Sequence, residues 1–203
     1  MNYFSNPCKI MKMTSKIMTT SQKYMDIYKK PSSILIDTTL DDALKMNKVT
    51  NISFMTSCSN KFQKKNVNKT LDETKKELDN IFDILKDRQH MKIKKKLNVC
   101  CITECPIDGK IDIDFILHEI LMYNTKYDLD EIRLFDTCGS LMYKDYKYIV
   151  DALIYFGVLR TKIGVNLKIN INDITNNKNE INKILHYSLK NKLKYMILTP
   201  FQI

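Results

Sequence analysis

From residue 31 onward, short apolar runs alternate with longer amphipathic stretches, and this alternation limits the possible fold more than any other feature of the chain. Ser33-Ile34-Leu35-Ile36, Ile52-Ser53-Phe54-Met55, Leu97 to Ile102, Glu131 to Asp136, Val165 to Ile171 and Tyr195 to Leu198 read as strands, being short, β-branched or aromatic, and bounded by polar residues. Between them lie helices. Thr70-Leu71-Asp72-Glu73 forms a capping box, in which Thr70 accepts the amide of Glu73 and Glu73 reaches back; Leu71, Leu78, Ile81, Phe82 and Leu85 then follow helical spacing. Residues 112–123 carry Phe115, Ile116, Ile120 and Leu121 on one stripe, and residues 143–156 carry Tyr146, Ile149, Val150 and Leu153. Residues 179–189 and a short helix through Leu44 and Met46 complete the set. Strands joined by helices at a repeat of about 30 residues require parallel pairing with right-handed crossovers. The class is therefore α/β, and both an open doubly wound sheet and a (β/α) barrel satisfy the pattern.

Composition narrows the functional classes. The chain has 203 residues, 44% of them hydrophobic, and charges interrupt every apolar run before the roughly 18 residues a membrane span needs. With 4 glycines there is no GxGxxG or GxxxxGK[ST] loop to cradle phosphates. The 33 Lys+Arg exceed the 23 Asp+Glu by a net charge of +10, but the lysines are scattered among acids. Abundant Lys, Asn, Ile and Tyr fit AT-rich coding, so a nucleic-acid partner is disfavoured. The run Lys92 to Lys96 reads as a solvated connection. Six cysteines without a CxxC pair or secretory signal read as buried free thiols in a reducing compartment, with the cytoplasm expected. Residues 1–30 form a basic segment rich in Met, Ser, Thr and Lys, disordered or helical, and residues 31–203 the domain. A transit-peptide reading of the first residues is weakened by their lack of Arg.

In both architectures chemistry gathers at the carboxyl ends of the strands. Those ends read Lys61 to Asn68, Thr103 to Lys110, Asp136-Thr137-Cys138-Gly139 and Asn170-Ile171-Asn172-Asp173. A strand-end acid such as Asp136 serves either a site or its own turn. Cys105 before Pro106 fits packing or turn chemistry better than nucleophilic attack. His90, His118 and His186 fall on helices as surface or half-buried residues, and Gly109 and Gly139 suit turns with positive φ.

Three of these ends carry a resemblance. Lys64-Lys65-Asn66-Val67-Asn68 is similar to a KKNIN segment, Cys105-Pro106-Ile107-Asp108-Gly109-Lys110-Ile111 to CPYEGKI, and Asp136-Thr137-Cys138-Gly139 to DTIG. In this order and spacing the chain resembles the 3-hydroxy-3-methylglutaryl-CoA lyase family over roughly residues 33–200, corresponding to strands three to eight of a TIM barrel. The resemblance implies a partial, open-edged barrel with acyl-CoA as ligand. It places Asp136 as a catalytic residue and Lys64, Lys65 and Asn66 at the substrate. Asn170 and Asn172 stand at the family's two histidine ligand positions for a divalent cation, Mg²⁺ or Mn²⁺.

An Asn carbonyl is a weak neutral donor for such an ion. No RDG precedes the first strand read here, and 203 residues fall short of the roughly 250 of a TIM barrel. The expectation is a lyase-like pseudoenzyme without a cofactor. An active lyase with rearranged ligands and a partner-binding module are the competing readings. Open sheet edges make a homodimer the expected assembly.

Overall fold

The computed structural model describes residues 25–28, 49–87, 93–170 and 174–201. The expected strand at 33–36, the short helix through Leu44 and Met46, and His90 lie outside them. The strands are β1 (Met25–Tyr28), β2 (Val49–Ser57), β3 (Lys94–Cys100), β4 (Glu104–Cys105), β5 (Gly109–Lys110), β6 (Glu131–Phe135), β7 (Ile163–Asn170) and β8 (Tyr195–Phe201). The helices are α1 (Asn60–Val67), α2 (Leu71–Lys86), α3 (Ile113–Lys126), α4 (Tyr143–Tyr155) and α5 (Ile174–Lys190).

Six strands form one sheet in the order β1-β2-β3-β6-β7-β8, every pair parallel. Apart from the inserted β4–β5 hairpin, neighbours in the sheet are neighbours in sequence. A doubly wound sheet reverses its order at a switch point, and this one does not. Right-handed crossovers without reversal put all helices on one face, as in a barrel. Among the described residues β1 and β8 do not pair, so the sheet is a partial barrel with two edges.

The helix-side core follows from alternation. Ile52 and Phe54, Leu97 and Val99, Ile132 and Leu134, and Ile163, Val165 and Leu167 are buried in one cluster with Leu78, Ile81 and Phe82 of α2, Ile116, Ile120 and Tyr123 of α3, and Ile149, Val150 and Leu153 of α4. The Thr70 capping box is present in full, with Glu73 N–H to Thr70 Oγ1 at 3.1 Å. Asp112 caps α3 by accepting the Phe115 amide at 3.0 Å. The α3 stripe is shifted from its expected position: Phe115 is 41% exposed, and the buried face runs through Ile116, Leu117, Ile120 and Tyr123.

The opposite face of the sheet is polar. Adjacent strands align Ser53 with Lys96 and Lys96 with Glu131, Asn98 with Arg133, and Lys168 with Thr199. Lys96, Asn98, Glu131, Arg133 and Asn166 are all buried. Arg133 donates to Glu131, and Lys194 Nζ lies 3.2 Å from its other oxygen. This corrects the reading of Lys92–Lys96 as a solvated connection: Lys94 to Lys96 open β3. The physical reason is the acidic entry to β6, where Asp130 accepts the Lys95 amide at 2.8 Å and Asp128 meets the Lys95 ammonium at 2.9 Å.

Two other local corrections concern the strand ends. Lys61 to Asn68, for which no helix was expected, is mostly helix α1: Ser59 caps it through the Phe62 amide at 3.0 Å, and Asn68 ends it at φ 60°. Thr103 to Lys110 contains the β4–β5 hairpin, with Glu104 opposite Lys110 and Cys105 opposite Gly109. Gly109 and Gly139 take positive φ, 74° and 75°, as their turns require. No strand was expected at Met25–Tyr28.

Candidate functional site

The carboxyl ends of β2, β3 and β6 converge with the β4–β5 hairpin. At the end of β2, Ser57 Oγ donates to the Ser59 carbonyl at 2.8 Å, which turns the chain into α1. Ser59 Oγ accepts the Phe62 amide and donates to Asp108 Oδ2 at 2.7 Å, while Cys105 Sγ–H donates to Ser59 Oγ at 3.1 Å. Lys61 Nζ completes the set 2.8 Å from Asp108. The Lys61 and Ser59 hydrogen bonds hold the Asp108 carboxyl below the ordinary aspartate range. Cys105 Sγ in turn accepts the amides of Ile107 and Asp108, each at 3.3 Å. Cys105 is thus a buried turn residue, as its sequence context implied.

Beside this network β3 is followed by Cys101, a buried non-glycine residue at φ 59°. Such a conformation costs about 1 kcal/mol or more and persists only where surrounding bonds impose it. Here the Cys101 amide donates to Thr137 Oγ1 at 2.7 Å, locking the end of β3 to the loop after β6. On the same loop the Asp136 carboxylate accepts the amides of Gly139 at 2.9 Å and Ser140 at 3.1 Å. Asp136 is 7% exposed. Burial raises its pKa to about 6, and the backbone N–H groups of its own turn only partly oppose the shift. Lys168 projects from β7 onto the polar face and donates to the Thr137 carbonyl at 3.1 Å; burial lowers its pKa.

Asp136 and Lys168 therefore come together around Thr137, in company with the Cys105–Ser59–Asp108 network. The other expected site residues stand apart. Lys64 lies on α1 with Nζ 3.9 Å from Glu73, facing the start of α2. Lys65 is exposed, and the Asn66 side-chain amide donates to the Phe62 carbonyl at 2.8 Å. Asn170 is the last residue of β7, and Asn172 lies outside the described residues. Ser59, Lys61, Asp108 and Lys168 escaped the sequence reading because their partners lie tens of residues away. Lys168, a cation within an alternating strand, was the one available signal.

The donor chemistry of this region does not fit a hard divalent cation. Asp136 is engaged by backbone amides and Asp108 by Lys61 and Ser59. Burial pushes the Cys100 thiol up to about 12 and Cys138 to about 11, and raises Cys58 and Cys101 as well, so these sulfurs stay protonated rather than becoming thiolate ligands. Among the described residues no three His, Cys, Asp or Glu groups assemble around one point. His118 and His186 are exposed on helices. None of the described helices is long and apolar enough to cross a membrane.

No protein-family model matches the chain, and no curated protein does. Solved structures do. The HMG-CoA lyase from Brucella melitensis superposes with a TM-score of 0.61 at 18% identity over 78% of this chain and 52% of that one. Hydroxymethylglutaryl-CoA lyase from Pseudomonas aeruginosa gives 0.60 at 14% identity, covering 87% and 53%. An HMG-CoA lyase from Acinetobacter baumannii, solved in complex with coenzyme A and 3-methylmalate, gives 0.61 at 16% identity, covering 79% and 47%. The chain spans about half the length of the structures it matches. It shares their fold.

Proposed function

We propose that this chain is a hydroxymethylglutaryl-CoA lyase-like protein that holds an acyl-CoA without cleaving it. The observation that carries this reading is the state of Asp136. An acid acting on substrate presents a carboxyl oxygen to it, whereas here Oδ1 is held by two amides of its own turn. The two asparagines at the family's histidine positions, Asn170 and Asn172, support the same conclusion, since neutral carbonyls bind a divalent cation weakly without carboxylates. With Oδ1 of Asp136 held in its own turn and asparagines at the family's two ligand positions, the charge stabilisation that carbon–carbon cleavage needs is weakened and its barrier stays high.

Binding makes smaller demands. Lys64 and Lys65 on exposed turns of α1, with Asn66 beside them, offer cations to the phosphates of coenzyme A, and Lys168 offers a cation at the strand ends. The complex of the Acinetobacter protein with coenzyme A supports this ligand class.

The test pairs two measurements on one folded sample. Calorimetric titration with acetyl-CoA is expected to show binding that weakens in the Lys64→Glu, Lys65→Glu variant. A coupled assay for acetyl-CoA release from 3-hydroxy-3-methylglutaryl-CoA, with Mg²⁺ or Mn²⁺ supplied, is expected to show no turnover. Turnover sensitive to Asp136→Asn would overturn the inactive reading, and absence of any acyl-CoA binding would overturn the ligand.

A further inference from the structure

The segments that lead into β7 and β8 lie side by side at the amino end of the sheet, opposite the strand ends that hold Asp136. The Lys194 amide donates to the Ile163 carbonyl at 2.9 Å and ties them together. The first, Tyr155-Phe156-Gly157-Val158-Leu159-Arg160-Thr161-Lys162, follows α4; the second, Leu189-Lys190-Asn191-Lys192-Leu193-Lys194, follows α5. Between them they carry five cations and no acid. They also hold large apolar side chains in water: Tyr155 is 84% exposed, Leu189 75%, Phe156 62% and Leu159 61%. Cations suit the carboxyl ends of helices, but a helix end does not call for exposed Tyr, Phe and Leu beside them, and such a patch marks an interaction surface.

The patch is built by closed backbone turns. Gly157, at φ 89°, turns the chain out of α4, and buried Val158 anchors it, its amide donating to the Leu153 carbonyl at 2.9 Å. The Lys162 amide donates to the Leu159 carbonyl at 2.8 Å, and after α5 the Leu193 amide donates to the Ser188 carbonyl at 3.0 Å. Leu159 and Leu189 are thereby held outward, with Arg160, Lys190 and Lys192 exposed around them. The acids nearest this rim are already paired. Asp128 meets Lys95 at 2.9 Å, Glu131 is bonded by Arg133 and Lys194, and Asp151 by Lys147 and Tyr187.

We propose that this rim seats the protein on the surface of an anionic lipid bilayer. Tyr155, Phe156, Leu159 and Leu189 enter the headgroup layer, and Arg160, Lys162, Lys190 and Lys192 meet the lipid phosphates and carboxylates. Charge complementarity carries the choice of partner: the rim is wholly cationic and the chain has a net charge of +10. The apolar side chains select lipid over a single-stranded nucleic acid. Bases stack on aromatic rings, whereas Leu159 and Leu189 offer no ring to stack on and gain only from leaving water. Tyr and Phe between an apolar layer and cations are the composition of a surface-bound protein. The association goes beyond acyl-CoA binding and does not rest on it. Docking by the amino end of the sheet leaves the carboxyl ends of the strands facing water.

Flotation of the full chain with vesicles tests the proposal. It is expected to bind vesicles of equimolar phosphatidylcholine and phosphatidylserine, to ignore phosphatidylcholine alone, and to detach as salt is raised. Each cation at an anionic surface strengthens partitioning about fivefold, so Arg160→Glu with Lys190→Glu is expected to weaken binding about 25-fold or more. Lys76→Glu with Lys144→Glu makes the same change in net charge away from the rim and is expected to bind nearly as the wild type does. Phe156→Ser with Leu159→Ser is expected to abolish flotation with an unchanged circular dichroism spectrum, because both side chains are exposed. The chain has no Trp, so Leu159→Trp supplies a single reporter whose emission is expected to shift to the blue on the anionic vesicles. No flotation with phosphatidylserine overturns the proposal, as does an emission that stays unshifted. Equal weakening by the two charge-reversed pairs, or binding that survives the two serines, overturns it too. So does a rim that binds single-stranded oligonucleotides while the vesicles float free.

Discussion

Replacing Asp136 by Asn separates what its carboxylate does for folding from what it does for a ligand. The side chain is 7% exposed and its Oδ1 accepts the Gly139 and Ser140 amides. Burial raises the pKa from 3.8 to about 6. At about 1.36 kcal/mol per unit, the ionised form costs the folded state about 3 kcal/mol relative to the protonated form. The sign follows from proton counts. Between pH 3.8 and about 6 the folded protein holds a proton that the unfolded chain releases, so stability falls as pH rises through that window and levels off above it. Asn keeps a carbonyl oxygen for both amides and stays neutral at every pH. Asp136→Asn is therefore expected to match the wild type below the window and to exceed it near neutral pH by up to about 3 kcal/mol, less the desolvation of its amide group. Urea unfolding of both proteins across the window reads this directly, since the difference between them isolates one group. A pH-independent difference, or a variant destabilised at neutral pH, would refute the reasoning and mean that a neighbouring cation sustains the charge.

Other outcomes follow from the same region. Thr137→Val leaves the buried Cys101 amide without its acceptor and is expected to lower the unfolding free energy by about 1–3 kcal/mol, whereas Thr137→Ser retains most of it. Ser59→Ala removes the cap of α1, the acceptor of the Cys105 thiol and the donor to Asp108, and should cost about 1–2 kcal/mol by chemical denaturation; no loss would mean the hairpin is held elsewhere. Native iodoacetamide labelling at mildly alkaline pH, mapped by mass spectrometry, should modify Cys138 before Cys58, Cys100 or Cys101, which are buried with raised pKa values. Rapid labelling of Cys100 would contradict the packing at the end of β3.

Elements with a strong local signature were legible in the sequence. The Thr70–Glu73 box and the spacing of Leu78, Ile81, Phe82 and Leu85 place α2 correctly because cap and stripe are local properties. Helix α1 was missed because its buried face contains Gln63, whose amide bonds Thr74 Oγ1 at 2.9 Å, so hydrophobic periodicity is blank there. The hairpin strands have two residues each, too few for any period. Composition could not choose between a doubly wound sheet and a barrel, since strand order is a property of pairing; the motif resemblance pointed to the barrel, and the sequential order is that of a barrel. At the candidate site the order of the strand ends was readable, but Ser59 with Asp108, and Cys101 with Thr137, meet across 49 and 36 residues. No spacing rule reaches that far.

The unreversed strand order also bears on how the chain assembles. Each strand of the main sheet finds its partner after about 30 residues, so every pairing closes a loop of similar and modest entropy. None of these pairings waits for a distant segment. Assembly can begin at any adjacent pair, such as β3 with β6, and spread one unit at a time, as in a solenoid. On the ribosome that order coincides with the order of synthesis, and each emerging strand docks on the one before it. The sheet grows at a single moving edge, and that edge is the surface a nascent chain must keep from neighbouring chains.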